Sequence, residues 1–225
     1  MALPPIVTRR KHEDHTDTLR AAGAAEAVAT RGDDADPGAT RREAILEAAQ
    51  VVFVRYGFKK TSMDDLARAA GLSRQGLYLH FQTKEALFKA ALEHLMMQLQ
   101  SAGRDALARD DVDVESRLLA AFEAVHGHAI ATAESGHLEE LFETATALVG
   151  PLLEDIDRDL ANLIAGVLVR AGVAAAWKPA GVSAKELAEH LCATSSGIKH
   201  TVTTLSAYRA RMRTAVKIVV RGAPR

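Results

Sequence analysis

The sequence holds a single cysteine among 225 residues, Cys192, so no disulfide can close within the chain. Its helical, mostly apolar neighbours predict a buried small residue rather than a redox centre. Aromatic residues make up only 4% of the chain, which argues against a sheet built on Tyr, Phe and Trp. No run approaches the roughly 18 apolar residues of a membrane span. The N-terminal stretch MALPPIVTRRKHEDH lacks an apolar core of signal-peptide length, and a cytoplasmic protein is expected. A Gly-rich phosphate loop, a Gly-x-Ser-x-Gly elbow and a cysteine-nucleophile signature are all missing, which sets the sequence against an enzyme. Nine histidines invite a metal, and His126, His128 and His137 with Glu140 are the densest group. No repeated Cys or His-Glu-x-x-His spacing supports that reading, so no metal and no other cofactor are expected.

What the chain has is aliphatic: 48% of it is apolar, with Ala and Leu abundant, and the expected fold class is all-α. The formal net charge of -1 gives no hint of a nucleic-acid partner, but its distribution does. Residues 40–90 carry nine Lys/Arg against five Asp/Glu, while the flanking segments are net acidic. Within that basic segment lies the most informative stretch, TSMDDLARAAGLSRQGLYLHF, from Thr61 to Phe81. Ser62 can cap a helix, with Asp65 completing a capping box. Leu66, Ala67 and Ala70 give that helix one apolar side. Gly71 suits a left-handed exit, and Ser73 can cap a second helix on which Leu77 and Phe81 face inward. Arg74, Gln75, Tyr78 and His80 are left to point elsewhere. Two short helices so arranged are a helix-turn-helix, whose second helix enters the DNA major groove.

Thr61-Ser62-Met63, Asp65-Leu66-Ala67, Ala70-Gly71-Leu72-Ser73, Leu77-Tyr78, His80-Phe81 and Lys84-Glu85 together resemble the DNA-binding unit of the TetR/AcrR family of bacterial transcriptional regulators. The match is dense over about 25 positions, while the rest of the chain matches only in length and helical pattern. The family often has Gly then Thr where Gln75 and Gly76 stand here. Read from the residues, Arg74 can reach guanine and Gln75 adenine, and Gly76 lets the backbone approach the groove edge. Thr61 or Ser62 can offer a hydroxyl to a phosphate, and Ser73 stands at the N-terminus of the reading helix. The resemblance implies that Tyr78 and His80 flank the groove and that Lys84 contacts phosphate. Bland alternatives accompany these roles: Ser62 and Ser73 can serve as caps alone, and Tyr78 or His80 can pack into the head.

The expected organisation has three parts: a flexible N-terminal extension over 1–39, a helix-turn-helix DNA-binding domain over 40–90 with its motif at 62–81, and a helical effector-binding and dimerisation domain over 91–225. In the extension a short helix near Leu19 to Ala29 and an arm at Arg9, Arg10 and Lys11 are conceivable. A capping box at Thr40 to Glu43 is expected to open the first helix, followed by the apolar stripe Ile45, Ala48, Ala49, Val52, Phe53 and Tyr56. A further helix runs from Thr83 to about Ser101. The remaining helices are placed at 114–133, at 137–149, from Pro151 to Arg170, from Ser183, and from about Ser206. Residues 173–182 are read as a loop. The family resemblance implies a homodimer through the last two helices, and the stripe Tyr208, Met212, Ala215, Val216 and Val219 is the expected contact, a wholly intrachain core being the competing reading.

Function follows as an expectation: a sequence-specific, DNA-binding transcriptional regulator, a repressor released from a double-stranded operator by a small-molecule effector. Met96, Phe122, His126, Phe142 and Trp177 are candidates to line the effector pocket, and the aliphatic inventory leans to an apolar or amphipathic effector. Two rivals from other classes are a low-specificity architectural DNA binder and a helical enzyme without recognisable motifs.

Overall fold

The computed structural model describes residues 37–133 and 137–222, and among these it holds nine α-helices, one short 3-10 turn and no strand. The first four helices are α1 (Pro37–Tyr56), α2 (Met63–Ala69), α3 (Arg74–His80) and α4 (Lys84–Ala108). The rest are α5 (Val114–Ala133), α6 (Leu138–Arg170), α7 (Val173–Trp177), α8 (Ala184–Lys199) and α9 (Leu205–Arg221). Residues 1–36, where the arm and the short helix were expected, lie outside the described residues.

Helix α1 already runs at Pro37, not at the expected Thr40. Proline fits a first helical turn, where its missing N–H costs nothing. Thr40 therefore lies inside the helix and cannot act as its N-cap. The stripe on α1 is buried as expected at Ile45, Ala49, Val52 and Phe53, and Leu46 joins it, but Ala48 is half-buried and Tyr56, at the end of the helix, is exposed. With Leu66, Ala67, Leu77, Phe81, Leu87, Phe88 and Ala91 these residues form one apolar core, that of the head. Three phenylalanines meet there: the Phe53 and Phe88 rings stand edge to face at 4.9 Å, and Phe58 lies 5.1 Å from Phe88. Such pairs add to the burial of the rings themselves.

A second core fills the body, assembled from α4, α5, α6, α8 and α9 around Phe122, Ile130, Ile164, Leu168, Leu191 and Met212. Helix α4 is longer than expected and crosses residue 90 without a break, so head and body share it. The expected division after Val149 is present as a kink: Val149 has φ −139°, ψ 23° inside an otherwise continuous α6. Pro151 lacks an N–H and crowds the carbonyl one turn back, which accounts for the break.

Two expectations need correction. The stretch read as a loop at 173–182 contains α7 and a 3-10 turn, Lys178–Ala180. It is held by contacts distant in sequence: Trp177 donates its indole N–H to the Val219 carbonyl at 2.7 Å, and Val173 is buried. The stripe expected to meet a second copy is also misplaced. Tyr208, Met212, Val216 and Val219 are buried in the chain's own core. Periodicity reveals that a helix has an apolar face, not whose core that face enters.

Candidate functional site

The helix-turn-helix forms from local signals. The Ser62 hydroxyl oxygen accepts from the Asp65 N–H, and the Asp65 carboxylate accepts from the Ser62 N–H at 3.1 Å, a complete capping box. The Ser62 hydroxyl, donating to the Asp65 carboxylate at 2.5 Å, and the Ser62 N–H hold the Asp65 carboxyl below its ordinary range. Gly71, at φ +64°, makes the left-handed turn out of α2 that a side chain would resist. Ser73 caps α3 by accepting from the Gly76 N–H at 3.0 Å. Leu77 is fully buried and Phe81 nearly so, which pins α3 against α1 and α2.

The opposite side of α3 is solvent-facing. Arg74, Gln75 and His80 are exposed, with Gly76 and Tyr78 half-buried. Arg74 stands 3.3 Å from Asp64 of α2 and 5.7 Å from the Tyr78 ring, so its guanidinium is steered along the open face. Leu79 lies on α3 with 81% of its surface exposed. Sequence reasoning passed over Leu79 and Asp64. An isolated leucine between two candidate contacts, pointing away from Leu77, was the available signal. Around this face Arg41, Arg42, Lys59, Lys60 and Arg68 are exposed, and Arg42 covers the Phe81 ring at 4.5 Å.

Two expected phosphate contacts are corrected. Thr61 is buried, and its hydroxyl donates to the Gly57 carbonyl at 2.6 Å. Lys84 turns its ammonium inward, donating to the Phe58 and Thr61 carbonyls at 2.8 and 3.0 Å and lying over the Phe58 ring at 4.4 Å. Both side chains close the α1–α2 turn, where the loop carbonyls of Gly57, Phe58 and Thr61 need donors. Ser62 is exposed, but its hydroxyl is already engaged with Asp65 at 2.5 Å.

A second feature lies where head and body meet. An apolar chamber of about 490 Å³ opens between α1, α4, α5, α6 and the end of α8. Phe53 and Phe88 of the head line it, as do Met96, Phe142 and Ile156 of the body. Of the expected lining residues, Met96, His126 and Phe142 are there, whereas Phe122 is buried in the body core and Trp177 packs against it near α9. Asp157, Lys199 and His200 add polarity to the wall. Burial raises the Asp157 carboxyl and lowers the Lys199 ammonium, each opposed by the other's charge. The first half of α6 ties this chamber to the head: Leu141 and Leu148 pack on the head core, and Glu140 accepts from the Lys59 N–H at 2.6 Å. Glu140 is thereby committed to the head, and no group of three or more metal-ligating side chains is found among the described residues. Burial pushes the Cys192 thiol up to about 12, far from a reactive thiolate. No single helix among the described residues is long and apolar enough to cross a membrane.

A helix-turn-helix on an all-helical body defines a class of DNA-associated regulators. The sequence model of "Bacterial regulatory proteins, tetR family" matches residues 45–91, the segment that holds the helix-turn-helix. Residues of this chain are 42% identical over 88 positions to the HTH-type transcriptional activator FasR of Mycolicibacterium smegmatis, covering 39% of this chain and 40% of that protein. They are 33% identical over 84 positions to the HTH-type transcriptional repressor ComR of Escherichia coli, covering 37% of this chain and 40% of that protein. The chain thus matches about two-fifths of the length of these curated relatives. The crystal structure of a TetR-like transcriptional regulator from Rhodococcus sp. RHA1 superposes with a TM-score of 0.57 at 25% identity, covering 84% of this chain and all of that one. Relatives and fold alike are those of regulators, not enzymes.

Proposed function

We propose that this protein regulates transcription by binding a specific double-stranded operator through α3 and is released from it by a small apolar or amphipathic effector. The observation that carries the DNA half is the two-sided α3: Leu77 and Phe81 fasten it, while Arg74, Gln75 and His80 stand free on its other side. Arg and Gln are suited to guanine and adenine edges, and Leu79 offers an apolar surface to a thymine methyl group. The exposed basic residues around α3 supply phosphate contacts that fix register. The work is done where the chromosome is, in the cytoplasm.

The chamber supports the effector half. It is lined by head and body together, so a molecule seated there bears on α1, α4 and the first half of α6 at once. A ligand that prefers a head position unable to grip DNA shifts the protein towards it, by no more than its preference for that state. Release of a repressor is the simplest outcome. A pair of chains joined through α8 and α9 would present two α3 helices to successive major grooves. With the inner face of α9 used within the chain, the outer face remains for that contact, where Ile218 is 58% exposed.

Selection of bound fragments from a random duplex pool, followed by titration of wild type and Arg74→Ala, tests the proposal. A two-fold-symmetric site should emerge, and Arg74→Ala should weaken it by roughly 1–3 kcal/mol with little effect on random DNA. Equal losses on both duplexes, with no enriched site, would instead describe a low-specificity architectural binder.

A further inference from the structure

The wall of the chamber contains a buried polar chain that none of the roles above uses. His126 on α5 is 5% exposed. Its Nδ1 lies 2.5 Å from the Ser195 hydroxyl of α8, which lies 2.5 Å from the Tyr208 hydroxyl of α9. Tyr208 in turn donates to the Phe122 carbonyl at 3.4 Å. Ser195 and Tyr208 are fully buried.

The Tyr208 hydroxyl also lies 3.5 Å from His126 Nδ1, and its bond to the Phe122 carbonyl gives one consistent direction for every proton. A carbonyl only accepts, so Tyr208 gives its one hydroxyl proton to Phe122. The Tyr208 oxygen then accepts from Ser195. In that direction the Ser195 oxygen accepts from His126, with the proton on Nδ1. Burial, with Lys199 and His200 nearby, lowers the imidazole to about 3, so the ring is neutral and holds no second proton. Nε2 is therefore a bare acceptor. It has no partner among the described residues, and His126 lines the chamber. A buried acceptor in an apolar wall is costly unless something donates to it.

We infer that the chamber takes a neutral, mainly apolar molecule bearing a hydroxyl or N–H donor, and that His126 Nε2 recognises the donor. The inference rests on the effector reading and adds to it the chemical class of ligand. It also places the recognising atom on a chain of hydrogen bonds that reaches α8 and α9.

Three fluorescent probes of one shape separate the possibilities: 1-naphthol, which donates, 1-methoxynaphthalene, which only accepts, and 1-naphthoate, which is anionic. Titrated into the full-length protein, 1-naphthol should bind about tenfold more tightly than its methyl ether, the equivalent of one well-made hydrogen bond in a dry site. His126→Phe should abolish that preference. Ser195→Ala, which frees the tautomer, should reduce it while leaving the ether's affinity unchanged. Circular dichroism on both variants confirms that they fold, and the wild-type comparison of naphthol with its ether stands even where a variant does not. No binding of 1-naphthol, equal affinity for the two, or a preference for 1-naphthoate that Lys199→Met removes would each overturn the inference. Operator affinity measured with 1-naphthol bound is a separate readout. Unchanged DNA binding alongside intact discrimination would sink the effector proposal and leave the donor site standing.

Discussion

Head and body are built on different principles although they share α4. The head is small, and its elements are punctuated by their own side chains: Ser62, Ser73 and Thr83 each cap the helix that follows. Its core concentrates aromatic rings in a chain that has few, three phenylalanines meeting within 6 Å. The body is aliphatic, has longer helices, shares the chamber wall with the head, and holds a polar chain whose members lie 69 and 82 residues apart. A reading head has to hold one helix at a fixed angle, and local caps with dense ring packing achieve that. A part that admits a ligand, the role proposed for the body, retains space and polarity in its interior, at the expense of packing.

The contrast can be tested by breaking each side in turn. Phe88→Ala removes the ring shared by head core and chamber, and it should destabilise the protein by about 3–5 kcal/mol in urea unfolding. A loss below about 1 kcal/mol would mean that the head packs no more tightly than the chamber wall. Acid should act on the body through His126. Below pH 6.5 the unfolded chain takes up a proton on this ring that the folded chain refuses until about pH 3. The ring's contribution is thus fully present above that window and is lost as pH falls through it. Between pH 7 and pH 5 the loss should be about 2 kcal/mol, and His126→Phe should flatten this part of the stability profile. An unchanged slope in that variant would assign the acid sensitivity elsewhere.

Smaller effects probe the joints of the head. Lys84→Met leaves the Phe58 and Thr61 carbonyls without their donor and should cost about 1–2 kcal/mol. The salt dependence of DNA binding should stay as in wild type, whereas a flatter slope would restore the phosphate contact first expected of Lys84. Ser73→Ala removes only a cap and should cost about 1 kcal/mol, with fraying of the reading helix visible as faster hydrogen exchange at Gly76.

The caps at Ser62 and Ser73, the left-handed turn at Gly71 and the inward pair Leu77 and Phe81 were all legible, because each depends on residues within one helical turn. The kink at Val149 was legible from Pro151 for the same reason. The roles of Thr61 and Lys84 were not. Their partners are backbone carbonyls of the α1–α2 turn, and the sequence marks a lysine or a threonine without marking which way it turns. The stripe on α9 was read correctly as apolar and assigned to the wrong neighbour.

The order of amino acids by itself determined the helical class, the helix-turn-helix and the side chains left on the open face of α3, since short-range hydrogen bonds and the 3.6-residue period are written into neighbouring positions. Only the tertiary structure decided which core each apolar face enters, where the chamber opens, and that His126, Ser195 and Tyr208 meet. Those outcomes depend on helices distant in sequence packing side by side, and no local pattern encodes that choice.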